Sequence, residues 1–147
     1  MTIPKFARGK FAFKNKEKYV GTKTPTYRSG WEHAFMRLCD EHPNVHKWAS
    51  ESIRIPYRHP LTWKYTIYVP DFFIVYNDKN GRKHAELVEV KPKAQMTLEN
   101  AGSSHAKRKQ VVINTAKWEA ANTYARQHKI RFRVVSEEQL FHQGTRK

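Results

Sequence analysis

A chain of 147 residues carries 28 Lys and Arg against 13 Asp and Glu, a formal charge of +15. Its 39% hydrophobic and 13% aromatic content is enough for one packed domain and excludes a disordered polycation. The cation surplus points to a polyanion, nucleic acid first; no run of 18 apolar residues offers a membrane span, and the single Cys39 excludes an internal disulfide.

Met1-Thr2-Ile3-Pro4-Lys5 has no apolar core, so no secretory signal is expected. Residues 1–28 interleave basic residues with Phe6, Phe11, Phe13 and Tyr19 and follow neither helical nor strand periodicity. They read as a basic arm, either ordered on a partner or lying as a solvated tail with a few anchoring rings. Residues 29–147 form the domain proper. Ser29-Gly30-Trp31-Glu32 is a capping box, and Trp31, Ala34, Phe35 and Leu38 follow at helical spacing, which predicts a helix that ends before Pro43. A strand is expected over 52–57, followed by a loop forced by Pro56 and Pro60 that carries Arg58 and His59. Residues 66–76 form a second extended segment interrupted by Pro70, and Asn77-Asp78-Lys79-Asn80-Gly81 is a turn into a return strand over 82–90. After a short helical turn within 94–104, a long helix is expected over 105–127, then a strand over 130–135. A last short helix should be capped by Ser136-Glu137-Glu138-Gln139. The expected order is α-β-β-β-α-β-α, an α+β arrangement with a small mixed sheet flanked by helices.

The chemistry concentrates on the central hairpin. Strand periodicity puts Glu89 and Lys91 on one face and Val88 and Val90 on the other. With Asp71 opening the neighbouring strand, two carboxylates converge at one end of the sheet. Unneutralised they would repel each other and raise one pKa; a hard divalent cation removes that conflict. Mg²⁺ takes oxygen ligands and commonly only one or two protein carboxylates, so Asp71 and Glu89 with the Val90 carbonyl form a candidate set, Mn²⁺ being able to substitute. Such an ion would activate water and polarise a phosphodiester, and Lys91 would orient the water or offset transition-state charge. Glu32, beside the apolar stripe of its helix, is the fourth candidate, with a rival role as the capping-box acid. Taken singly, Pro-Asp reads as an ordinary turn and Glu-x-Lys as a solvated strand pair; their conjunction carries the reading. No His-Glu-x-x-His, Cys-x-x-Cys or phosphate-loop motif is present, so neither structural zinc nor a nucleotide cofactor is expected.

Glu32, Pro70-Asp71 and Glu89-Val90-Lys91 resemble the motif of the PD-(D/E)xK nuclease superfamily. The longer stretches 27–32, 67–73 and 89–93, with Glu17-Lys18-Tyr19-Val20-Gly21, are similar to the head completion nucleases of large contractile-tailed phages. The resemblance implies a restriction-endonuclease-like core and a DNA endo- or exonuclease with Glu32, Asp71, Glu89 and Lys91 as its catalytic set. It further implies work on packaged DNA at head–tail joining, with head, portal or neck proteins as partners, in the host cytoplasm during assembly or in the virion. Relatives in the superfamily carry Gln or Lys on the helix after the core strands; Gln110 is the candidate here, and spacing does not select it over Lys117. Arg28, Lys93, Lys107 and Arg108 are candidates for the DNA backbone, which would make recognition one of shape or ends. Two other readings stay open: a non-catalytic DNA- or portal-binding protein on the same fold, and a repair or junction-resolving nuclease.

Overall fold

The computed structural model describes residues 8–136. Its centre is a four-stranded sheet in the order β3-β6-β7-β8, from Val45–Ser50, Phe72–Asn77, Lys83–Val90 and Arg131–Val135. β3, β6 and β7 are antiparallel, and β8 joins β7 in parallel after a crossover through the long helix α3, His105–Gln127. A parallel neighbour requires such a crossover, and the 23-residue helix supplies it.

Strand alternation sends two apolar sets to opposite faces. Phe72, Ile74, Val88 and Val90 meet Phe35, Met36 and Cys39 of helix α1 (Gly30–Glu41), with Trp48 at the centre. Leu87 and Phe73 turn the other way, to Ala121 of α3 and to Ile55, Tyr57 and Tyr68 of a separate two-stranded ribbon. That ribbon pairs β4, Ile55–Arg58, with β5, Tyr65–Tyr68. The sheet is therefore sandwiched, α1 on one side and α3 with the ribbon on the other.

Local chemistry explains the boundaries. Ser29 Oγ accepts from the Glu32 amide at 3.1 Å and starts α1, which stops at His42 before Pro43. Ser104 caps α3 in the same way, accepting from Lys107 N at 3.3 Å. In the β6–β7 turn, Asp78 Oδ1 accepts from the amides of Asn80 and Arg82, and Gly81 takes the left-handed φ of +76°.

Three expectations change. The segment over 45–50 is a strand, β3, that sequence periodicity does not reveal: Trp48, Ala49 and Ser50 are buried in succession, both faces covered, so no alternation exists. The strand expected over 52–57 runs over Ile55–Arg58, so Arg58 lies inside β4 instead of in the loop, and residues 66–76 divide into β5 and β6, which belong to different sheets. Over residues 8–28 the basic segment is packed on the domain. Phe11 is buried in the α1-side core, β1 (Gly9–Lys10) pairs with β2 (Thr26–Tyr27), and the buried Asp40 carboxylate accepts from the amides of Lys14 and Asn15 at 2.9 and 3.0 Å. Irregular backbone held by one buried acid and a few rings has no period to read. The last helix expected at 136–139 lies outside the described residues.

Candidate active site

Asp71 sits in the three-residue connection between β5 and β6, directly after the buried Pro70. Continuing the register Phe72↔Val88 places Asp71 opposite Glu89 and Pro70 opposite Val90. Backbone amides hold both carboxylates in place. Val90 N donates to Asp71 Oδ2 at 2.8 Å, and Asp71 N donates to Glu89 Oε1 at 3.2 Å. The Tyr68 hydroxyl donates to the same Glu89 Oε1 at 2.8 Å. One oxygen of each carboxylate is thereby engaged, leaving Asp71 Oδ1 and Glu89 Oε2, the latter 3.4 Å from Lys91 Nζ.

Proline has a specific effect here. The N–H and C=O of a strand residue point to the same side, so the Val90 carbonyl faces the Pro70 end, and proline has no N–H to give it. The ladder therefore gives the Val90 carbonyl no donor from Pro70.

The electrostatics are those of crowded anions. Burial pushes the Asp71 carboxyl well above the usual carboxylate range, with the charges of Glu89 and Glu32 adding to it; the Val90 amide and Lys91 oppose this. Burial also raises Glu32, helped by Glu51 and Glu89. Tyr68 stays a protonated donor, its hydroxyl pushed far up by burial and by Glu89. Among the described residues no three His, Cys, Asp or Glu side chains are grouped closely enough to cage a metal. Two carboxylates with spare oxygens, next in the register to a carbonyl that Pro70 cannot donate to, nevertheless fit a hard divalent ion, which keeps waters for its remaining positions.

Of the residues expected at the site, Asp71, Glu89, Val90 and Lys91 come together. Glu32 stands close enough to be felt electrostatically, but it does not join a three-acid cluster, and its Oε1 accepts from the Arg28 amide at 3.2 Å. Arg28 forms an ion pair with Glu51. Lys107 and Arg108 are exposed on the first turn of α3, with Arg108 Nη1 bonded to the Gly102 carbonyl at 3.1 Å, and Lys93 is exposed in a 3-10 turn after β7. Gln110 is turned to Asn114, donating to Oδ1 at 2.9 Å, and Asn114 links to the Gln95 carbonyl at 3.1 Å. Lys117 lies on the Tyr68 side of α3, its Nζ 5.7 Å from the Tyr68 ring centre and within reach of the charges of Glu89 and Asp71. Its pKa is lowered by burial and Lys91 and drawn upward by Glu89 and Asp71. Sequence reasoning missed Tyr68. The only available signal was its place three residues before Asp71, on the inner face of a ribbon that the sequence did not disclose.

Residues 42–137 match the family described as TnsA-like endonuclease N terminal. The chain is also 34% identical over 142 residues to the head completion nuclease of Enterobacteria phage T4, covering 90% of this chain and 92% of that protein. The expected restriction-endonuclease-like α+β fold agrees with both findings, and nucleases of this kind generally use divalent metal ions. With that geometry and those two likenesses together, the chain belongs to the TnsA-like endonuclease N-terminal family.

Proposed function

We propose that this protein is a Mg²⁺-dependent DNA nuclease that processes packaged DNA at phage head completion, before or during head–tail joining. The single observation behind the site assignment is the pair of carboxylates held by neighbouring amides, Asp71 by Val90 N and Glu89 by Asp71 N, with Lys91 Nζ 3.4 Å from the spare Glu89 oxygen. Asp71, Glu89 and the Val90 carbonyl would hold the ion, Mn²⁺ being able to replace it. When bound, such an ion supplies Lewis-acid polarisation of the scissile phosphate and a hydroxide nucleophile near neutral pH.

The remaining roles belong to the chain itself. Glu89 keeps the Lys91 ammonium at the mouth of the site, where it can orient the attacking water and offset charge on the transition state. Lys117 brings a second cation to the same side. Tyr68 and the Asp71 amide fix the Glu89 carboxylate in one rotamer, so its free oxygen needs no reorganisation. Glu32 is given an indirect part, through water, at the edge of the acid pair. The basic segment before residue 29, with Arg28, Lys93, Lys107 and Arg108, holds the DNA backbone; Gln110 acts through Asn114 by setting the start of α3. Residues 29–147 constitute the nuclease domain in this reading. Head, portal or neck proteins are its assembly partners, and its place of action is the host cytoplasm during assembly, with the virion as the second location. No helix among the described residues is long and apolar enough to cross a membrane.

Incubating supercoiled plasmid with Mg²⁺ or Mn²⁺ tests the proposal. Nicking or degradation is expected, and Asp71→Asn and Lys91→Ala should abolish it while DNA binding persists. Undiminished nicking by both variants would overturn the site assignment.

A further inference from the structure

The β4–β5 ribbon takes no part in the acid cluster except through Tyr68, yet it carries an exposed surface of its own. Leu61, Trp63, Tyr65 and Ile67 are 50%, 72%, 74% and 43% exposed, four of the seven large apolar side chains on the described surface. Pairing of Arg58 with Tyr65 and Pro56 with Ile67 puts Tyr65 and Ile67 on the outer face, Leu61 and Trp63 stand exposed in the loop at the tip, and Ile55, Tyr57 and Tyr68 face inward and are buried. The outer face includes a flat platform: the Arg58 guanidinium lies 4.8 Å over the Tyr65 ring, and its Nη2 donates to the Tyr65 hydroxyl at 3.1 Å.

The tip is built as carefully as the platform. His59 N donates to the Lys64 carbonyl and Trp63 N to the His59 carbonyl, both at 2.8 Å, and His59 Nδ1 accepts from the Leu61 amide at 3.2 Å. Trp63 is held at a left-handed φ of +61°. A loop that only had to close would use Gly or Asn there, since a bulky side chain resists this conformation. Between Ser52 and Pro70 the chain has Arg54, Arg58, Lys64 and His59 but no Asp or Glu. Flat aromatics among cations, with no acid, complement a polyanion that presents stackable faces; an aliphatic protein partner would not call for that pattern. β5 then runs directly into Tyr68, bonded to Glu89, and three residues later reaches Asp71.

We infer that the ribbon is a base-stacking element: Trp63 at the tip and the Arg58–Tyr65 platform hold unpaired bases of DNA beside the phosphodiester site. The substrate class is therefore DNA with a single-stranded stretch next to a duplex, such as a frayed or forked end. This rests on the nuclease reading for its meaning but is tested apart from it, as binding in EDTA. The probes are a blunt duplex and a fork of equal length with 2-aminopurine in one unpaired arm.

The wild-type protein should bind the fork more tightly and quench the 2-aminopurine. Tyr65→Ala, and Trp63→Gly, which relaxes the left-handed backbone while deleting the ring, should each lower the fork-over-blunt preference by about 5–100-fold, a stacking-sized effect. Trp63→Phe should retain most of it. Equal wild-type affinity for the two DNAs overturns the inference, as does an equal loss on both in the variants. Unchanged DNA binding combined with failed head assembly overturns it in favour of a protein-docking ribbon. Plasmid nicking that survives Asp71→Asn would defeat the nuclease site instead and leave the binding result standing.

Discussion

Two glutamates three residues apart on β7 have been given the same kinds of neighbour and opposite situations. Glu86 accepts from the Tyr76 hydroxyl at 2.5 Å on one oxygen and from Arg133 Nε at 3.0 Å on the other. Glu89 accepts from the Tyr68 hydroxyl at 2.8 Å and has Lys91 at 3.4 Å. Both are buried, and alternation faces them to opposite sides of the sheet. Among the described residues Glu86 is bonded by one cation and one hydroxyl, which use both its oxygens; Tyr76 is pushed up to about 12, by burial first and then by that carboxylate. Glu89 shares its neighbourhood with Asp71 and Glu32, so negative charge is in surplus. The contrast teaches that a buried Glu–Tyr–cation trio is not itself a site. Unbalanced charge with spare oxygens is what distinguishes one.

The largest expected effect separates the two residues by assay. Glu89→Gln should lower plasmid nicking on the order of 10²–10³-fold while the protein melts cooperatively near the wild-type temperature. The opposite signature is expected at the other end of the strand. Arg133→Ala leaves Glu86 buried without its cation and should cost about 3–5 kcal/mol, read as a melting point lower by roughly 10 °C, with the activity of the folded fraction retained. Should Glu89→Gln destabilise as Arg133→Ala does and leave nicking intact, the comparison is broken.

A smaller effect sharpens it. Tyr68→Phe removes a hydrogen bond to a charged oxygen and should reduce the cleavage rate by about tenfold, whereas Tyr76→Phe should leave that rate alone and lower only stability. Single-turnover rates for the two variants under one metal concentration decide the matter.

The smallest effect concerns pH. Asp71 is raised above its unfolded value by burial and by Glu89 and Glu32, so the folded state binds that proton more tightly. In EDTA the associated stability is full below the unfolded-state pKa, about 4, and is lost as pH rises through the folded-state value. Asp71→Asn keeps an oxygen for the Val90 amide without the charge. Its melting point should exceed that of the wild type by a few degrees at neutral pH, and the gap should close as pH falls below about 4. A constant gap across pH would show that charge crowding is not the cause.

Much of the site's placement was legible because strand periodicity and proline chemistry act locally. Pro70-Asp71 and Glu89-x-Lys91 needed only one hairpin to meet, and the Asp78–Gly81 turn announced that hairpin. The long helix was equally plain, expected over 105–127 and observed over His105–Gln127. What stayed hidden depends on distant packing. β3 is covered on both faces, so Trp48-Ala49-Ser50 shows no alternation, and the segment around Phe11 and Asp40 is ordered by contacts with α1 and β3 that leave no period. The choice between Gln110 and Lys117 was closed to sequence for another reason. Which α3 residue faces the acids depends on how the helix is rotated against the ribbon, and no spacing rule fixes that rotation.

The backbone around Tyr19 and Val20 has a further consequence. Val20 N donates to the Trp48 carbonyl at 2.9 Å and the Tyr19 hydroxyl accepts from Ser50 N at 3.3 Å, so β3, an outer strand of the sheet, is partly covered by a non-strand segment. An uncovered outer strand would offer its unpaired amides and carbonyls to a second molecule. The cationic leader thus also acts as a guard against sheet-to-sheet self-association, and a shortened protein that lacks it would be the form prone to precipitate.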